Sequence, residues 1–151
     1  MSGSARGFEA REAAKYKRIW GLPDGSYRWC SLGDNEVARP LAWARPDCKS
    51  ILSVGCGTGR EVVHFKNQGY EVFGMDIAEN ALDERNVLQG RFAVGNVCRL
   101  PFKDNAVDLI YCAEMMEHLP LRWVTPALRE MHRVARKKVY LQICTTMDMF
   151  G

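Results

Sequence analysis

Strand-like and helix-like segments alternate between residues 51 and 144, which predicts an α/β fold. It should have three layers, with helices on both faces of a doubly wound, mainly parallel sheet. Two observations carry that expectation. Short apolar runs rich in Val, Ile, Leu, Phe and Tyr recur with amphipathic segments of helical spacing between most of them. The first run ends in a glycine turn, Gly55-Cys56-Gly57-Thr58-Gly59, and the second ends in a carboxylate, Asp76.

The elements follow in order. Met1 to Gly7 is small and polar and is expected to be disordered. Glu9 to Trp20 has helical spacing and is stopped by Gly21-Leu22-Pro23-Asp24-Gly25. Asn35 to Trp43 reads as a helix with Pro40 as a kink or restart, ended by Arg45-Pro46-Asp47. The alternating core comes next: strand Ile51 to Val54, helix Gly59 to Asn67, strand Glu71 to Met75, helix Glu79 to Val87 and strand Arg91 to Val94. Strand Val107 to Cys112, helix Trp123 to Ala135 and strand Lys138 to Cys144 complete it. Residues 1–34 form an N-terminal basic arm and helix, and residues 35–151 the sheet domain. No internal repeat or low-complexity linker interrupts them.

At 151 residues, with 47% hydrophobic and 26% charged content, the chain suits a single globular domain. No apolar run approaches the roughly 20 residues that span a bilayer, and the N-terminus lacks an apolar signal core, so a cytoplasmic protein without a membrane partner is expected. Cys30, Cys48, Cys56, Cys98, Cys112 and Cys144 are scattered with no Cys-x-x-Cys pair. They read as reduced, mostly buried small apolar residues without a metal framework. The net charge of +3 resides in residues 1–18, where Arg6, Arg11, Lys15, Lys17 and Arg18 face only Glu9 and Glu12. Such an arm either guides a phosphate-bearing or nucleic acid substrate or is the solvated side of an amphipathic helix.

The glycine turn supplies the chemistry. Glycines let backbone N–H groups approach a ligand at the start of a helix, where orphan amides and the dipole favour negative charge. Asp76, at the carboxyl end of the next strand, is placed to accept hydrogen bonds from ribose hydroxyls. A dinucleotide fingerprint would need a third glycine at position 60, and Arg60 stands there, so nicotinamide and flavin cofactors are disfavoured.

Gly55-x-Gly57-x-Gly59 with its downstream acid resembles the first motif of the class I S-adenosylmethionine-dependent methyltransferases. Three further segments match that family in order. Gly95-Asn96-Val97-Cys98-Arg99-Leu100-Pro101-Phe102 is similar to its Gly-Asp-Ala…Leu-Pro-Phe segment. The run from Asp104 to Glu114, continued by Met115-Met116-Glu117-His118-Leu119, is similar to its fourth strand and the Glu-His-Leu that follows. Arg129 to Ala135 is similar to the helix leading into the fifth strand. The resemblance covers about Ile51 to Ile143.

It implies S-adenosylmethionine as cofactor, S-adenosylhomocysteine as product and methyl transfer to a small-molecule acceptor. It also implies contacts from Gly55, Cys56 and Gly57 to the methionine part, from Asp76 and Ile77 to the ribose and from Asn96 and Val97 to the adenine. Glu114 would face the sulfonium and the acceptor. Glu114, Glu117 and His118 are the candidates for a general base, His118 because its free pKa lies near neutrality; in the family the Glu-His pair also shapes the loop. His64 and His132 read as surface or packing residues, Asp108 as a turn anchor and Met115-Met116 as core or pocket wall. In the family the segment before the glycine turn commonly forms a lid, so Tyr16, Trp20, Tyr27 and Trp29 either bring rings able to cover a sulfonium or simply pack onto the sheet's helix layer.

Three departures accompany the resemblance. Ser53 stands where many relatives have an acid, Asn96 where they have Asp, and Arg136-Lys137-Lys138 where they have a Lys-Pro-Gly-Gly turn. No Pro-Pro-aromatic motif follows the fourth strand and no Pro-Cys dipeptide occurs, so nucleic acid acceptors are not favoured. Relatives continue with two more strands that this sequence lacks, as a fragment or as a minimal form. An uncovered fifth strand would offer an edge for a homodimer. The alternative function is a cofactor-binding module or partner subunit without catalysis of its own.

Overall fold

The computed structural model describes residues 5–21, 47–81 and 91–143. Its five strands are β1 (Ser50–Val54), β2 (Glu71–Asp76), β3 (Arg91–Val94), β4 (Val107–Ala113) and β5 (Ala135–Gln142). They form one sheet in the order β3-β2-β1-β4-β5, with every neighbouring pair parallel. The described helices are α1 (Ala5–Trp20), α2 (Arg60–Asn67) and α3 (Leu121–Val134), with short 3-10 turns at Glu79–Ala81 and Met116–His118.

β1 and β4 are apolar along almost their whole length because both faces of a parallel sheet are covered. Successive side chains alternate between two cores. Ile51, Leu109 and Tyr111 join Val62 and Phe65 of α2 on one face. Leu52, Ile110 and Cys112 join Ala127, Met131 and Val134 of α3 on the other. The chain runs outward from β1 to β3, then returns to β4 on the opposite side of β1. This reversal opens a crevice at the carboxyl ends of β1 and β4, the place where open α/β sheets bind ligands.

Asp108 holds the other end of the sheet. It is 3% exposed within β4, yet its carboxylate accepts from the Lys49 and Ser50 amides at 2.8 and 3.4 Å, and its own N–H donates to Ser50 Oγ. Arg136 and Lys137 reach the same carboxylate from β5 at 2.9 and 3.4 Å. Burial pushes this carboxyl upward, but the two amides and Lys137 outweigh burial and hold it below its ordinary value. Asp108 thus anchors the start of β1 from inside β4.

Boundaries differ from expectation by more than one residue in four places. α1 begins at Ala5, so residues 5–7 are helical. α3 begins at Leu121, and β5 spans Ala135–Gln142 because helix passes into strand with no intervening turn. Lys138 pairs with Asp47 at 3.6 Å, so all three basic residues at the strand's start have acidic partners. Of the helix expected from Glu79, residues 79–81 form a 3-10 turn. The rest of it, the helix at 35–43, the boundary at residues 34 and 35, and the rings of Tyr27 and Trp29 lie outside the described residues.

Asp108→Ala should lower unfolding stability by about 2–3 kcal/mol by leaving the Lys49 and Ser50 amides without their acceptor. Urea denaturation should show a lower midpoint with an unchanged slope.

Candidate functional site

The glycine loop is fixed by β2. Gly55 N and Cys56 N both donate to Met75 O, at 2.8 and 3.0 Å. Gly57 N donates to Asp76 Oδ2 and Ala78 N to Asp76 Oδ1, each at 2.9 Å. Asp76 is only 9% exposed, and burial raises its carboxyl above the ordinary value, against the pull of the Ala78, Gly57 and Ile77 amides. A carboxylate offers about four acceptor sites, so these three amides still leave it capacity to accept from a ligand. Gly55 and Gly57 need their left-handed φ of 72° and 48° to bring the amides to these partners.

The other expected residues gather around this loop at the carboxyl ends of the strands. Gly95 N donates to Asp76 O at 2.9 Å, which brings the turn after β3 beside β2. There, Asn96 is half-buried with its side-chain carbonyl accepting from Cys98 N at 2.9 Å, and Val97 is buried in the α3-side core. Ile77 is half-buried beside Asp76, and Cys56 is buried with its thiol pushed well up by desolvation. Glu114 follows β4 with a left-handed φ of 53°, its N–H donating to Gln142 O at 2.8 Å and its Oε1 3.4 Å from Gln142 Nε2. Met115 packs on the loop so closely that a Cβ at Gly55 would lie 2.5 Å from Met115 Cγ. Glu117 and His118 belong to the 3-10 turn, both half-buried.

α1 crosses the rim of the crevice. Trp20 lies over the loop, 3.0 Å from where a Gly57 Cβ would be. Tyr16 meets His118 edge-on at 6.0 Å, and Asn80 Nδ2 donates to Lys17 O at 2.8 Å. The helix therefore touches the loop after β1, the turn after β2 and the turn after β4. His64 packs edge-on against Phe65, His132 is exposed, and Arg60 is exposed at the head of α2.

Glu61 is the site residue that sequence reasoning missed. Half-buried in the first turn of α2, it accepts a hydrogen bond from Ser53 Oγ at 2.8 Å, directly beneath the glycine loop. Burial lifts its carboxyl to about 7, with the Asp76 charge adding to the rise and the Ser53 hydrogen bond opposing it. A carboxylate therefore stands against position 53, supplied from the neighbouring helix. The available signal was helical spacing: Glu61 lies four residues before Phe65, on the side facing the sheet.

The sheet order and the glycine crevice define the class I methyltransferase fold. Residues 52–143 match the methyltransferase domain family model, and the chain belongs to that family. A phosphoethanolamine N-methyltransferase of Haemonchus contortus, solved with S-adenosyl-L-methionine, superposes with a TM-score of 0.65 at 20% identity over 78% of this chain and 30% of that one. The O-methyltransferase resE of Aspergillus sclerotiorum is 32% identical over 57% of this chain and 35% of its own length. Norajmaline N-methyltransferase of Rauvolfia serpentina is 29% identical over 74% of this chain and 38% of its own. The chain spans less than two thirds of the length of these relatives.

Gly55→Ala should cost about 2–4 kcal/mol, since a left-handed alanine is strained and its Cβ would overlap Met115. Gly69 has a φ of 90° but nothing within 4 Å of its Cβ position, so Gly69→Ala should cost only about 1–2 kcal/mol. Urea denaturation of the two variants side by side checks the difference.

Proposed function

We propose that this chain binds S-adenosylmethionine and transfers its methyl group to a small-molecule acceptor. The observation that carries the reading is Asp76, a buried carboxylate that ties down the glycine loop and keeps lone pairs at the head of the crevice. In this reading Gly55, Cys56 and Gly57 hold the methionine part, Asp76 and Ile77 the ribose, and Asn96 and Val97 the adenine. Asn96 has a second lone pair on its carbonyl and an amide nitrogen with which to meet an adenine edge. α1 acts as the lid, bringing Trp20 over the loop and Tyr16 to His118.

The cofactor supplies an electrophilic methyl carbon: the acceptor's lone pair forms the new bond as the carbon–sulfur bond breaks, and S-adenosylhomocysteine leaves as a neutral thioether. The chain's task is to hold the two reactants in line and exclude water. Glu114, held in its strained conformation by β5, faces the acceptor, and Glu114 or His118 takes a proton where the nucleophile carries one. Norajmaline N-methyltransferase, among the relatives above, is named for a small-molecule acceptor, which supports that acceptor class. No described helix is long and apolar enough to cross a membrane. The free thiols of Cys48, Cys56, Cys98 and Cys112 suit a reducing, cytoplasmic setting.

Isothermal titration should show micromolar binding of S-adenosylmethionine and S-adenosylhomocysteine and none of NAD. Asp76→Ala should weaken the first two by about 1.5–3 kcal/mol through loss of charge-assisted hydrogen bonds. Unchanged affinity in that variant sinks the ribose assignment, and binding without turnover on any acceptor points to a cofactor-binding module. We further propose a homodimer through the edge that β5 forms among the described strands, where Leu141 is partly exposed. Light scattering at high micromolar concentration should return twice the mass of the chain, and a monomer's mass rejects it.

A further inference from the structure

Glu61 poses an electrostatic problem that the fold does not solve by itself. A carboxylate drawn out of water is normally matched by a cation or by several donors. The Ser53 hydroxyl is its side-chain partner, no described Lys or Arg pairs with it, and the charge that acts on it is that of another acid, Asp76. Two acids thus adjoin the glycine loop, Asp76 at the Gly57 amide and Glu61 at the Ser53 hydroxyl.

A second observation lies beside the first. Tyr111 is opposite Ser53 in the β1–β4 register, hence on the same face of the sheet, and is 1% exposed. Its hydroxyl has no hydrogen-bond partner. After burial, the Glu61 charge is the largest influence raising this phenol above its ordinary value, so the hydroxyl stays protonated in the field of the carboxylate. Tyr111 is braced by Phe65 edge-on at 5.0 Å and by Tyr140 stacked at 5.4 Å. A buried polar cluster that holds an acid with no cationic partner suits a cationic donor.

Resting on the cofactor reading above, we propose that Glu61, oriented by Ser53, receives the α-ammonium group of S-adenosylmethionine. An ammonium offers three N–H donors to the acceptor oxygens of Glu61 and Ser53. The cofactor's other cation, the sulfonium, has no N–H to donate and so cannot use these acceptor oxygens as hydrogen-bond partners. Bringing the ammonium in would keep Glu61 ionised, so binding should strengthen as pH rises through neutrality and should expel a proton near pH 7. The groups facing Glu61 are Ser53 from β1, Cys56 in the loop, Tyr111 from β4 and Asp76 from β2. The Cys56 thiol and the Tyr111 phenol are pushed up and stay neutral. Asp76 is the only other acid among them, and it is present unchanged in a Glu61 variant.

The test is titration calorimetry of the whole chain and of Glu61→Gln with three probes. S-adenosylmethionine and S-adenosylhomocysteine both carry the ammonium; 5′-methylthioadenosine carries neither it nor the carboxylate. Glu61→Gln should weaken the first two by about tenfold to a hundredfold and leave the third unchanged. Titrations in buffers of different ionisation enthalpy should show proton release with the wild type near pH 7 and little with the variant. Glu61→Asp should recover part of the loss, and thermal melting should show the glutamine variant at least as stable as the wild type without ligand. Equal weakening of 5′-methylthioadenosine, or no weakening of any probe, overturns the proposal while leaving the cofactor reading intact. Failure of the wild type to bind any of the three removes both.

Discussion

One carboxylate sets the geometry on which the crevice depends. The two oxygens of Asp76 take the Gly57 and Ala78 amides, and the carbonyl before it takes those of Gly55 and Cys56. The end of β2 therefore dictates where the loop after β1 runs, and the left-handed glycines let it follow. With a different second strand, the same glycines would be a flexible turn. Asp76 gives up hydration to do this, which is why its carboxyl is raised despite three amides around it.

Much of this was legible in the sequence, for identifiable reasons. β1 and β4 are buried on both faces, so their apolar runs stand out, and the glycine spacing and Asp76 follow from them at once. The start of β5 was not legible. Ala135-Arg136-Lys137-Lys138 has neither the alternation nor the apolar content of a strand, because ion pairs with Asp108 and Asp47 hold it in place of apolar packing. The start of α1 was obscured in the same way by small residues at 1–7. Glu61 was hidden by its ordinariness: an acid in a first helical turn is explained by the helix dipole, and only the register against Ser53 shows a second purpose.

The two ends of the sheet treat acids in opposite ways. Asp108 is satisfied by amides and cations and lies below its ordinary pKa, the condition of a group that stabilises the folded chain. Asp76 and Glu61 lie above theirs, as expected of groups held ready at a cost to the free protein. The sheet is fastened at the end away from the glycine loop and left with acids above their ordinary values at the end where the proposed ligand would sit.

The junction of α3 and β5 has a consequence for what the gene can tolerate. Val134 is the last helical residue and Ala135 the first extended one, so no loop can absorb a change in length. Inserting or deleting a single codon there would shift β5 by one position and turn each of its side chains to the opposite face. Gln142 would swing away from Glu114, and Arg136 and Lys137 would exchange faces beside Asp108. Drift in this stretch is thereby confined to substitutions, while tolerance of altered length must be sought elsewhere in the chain.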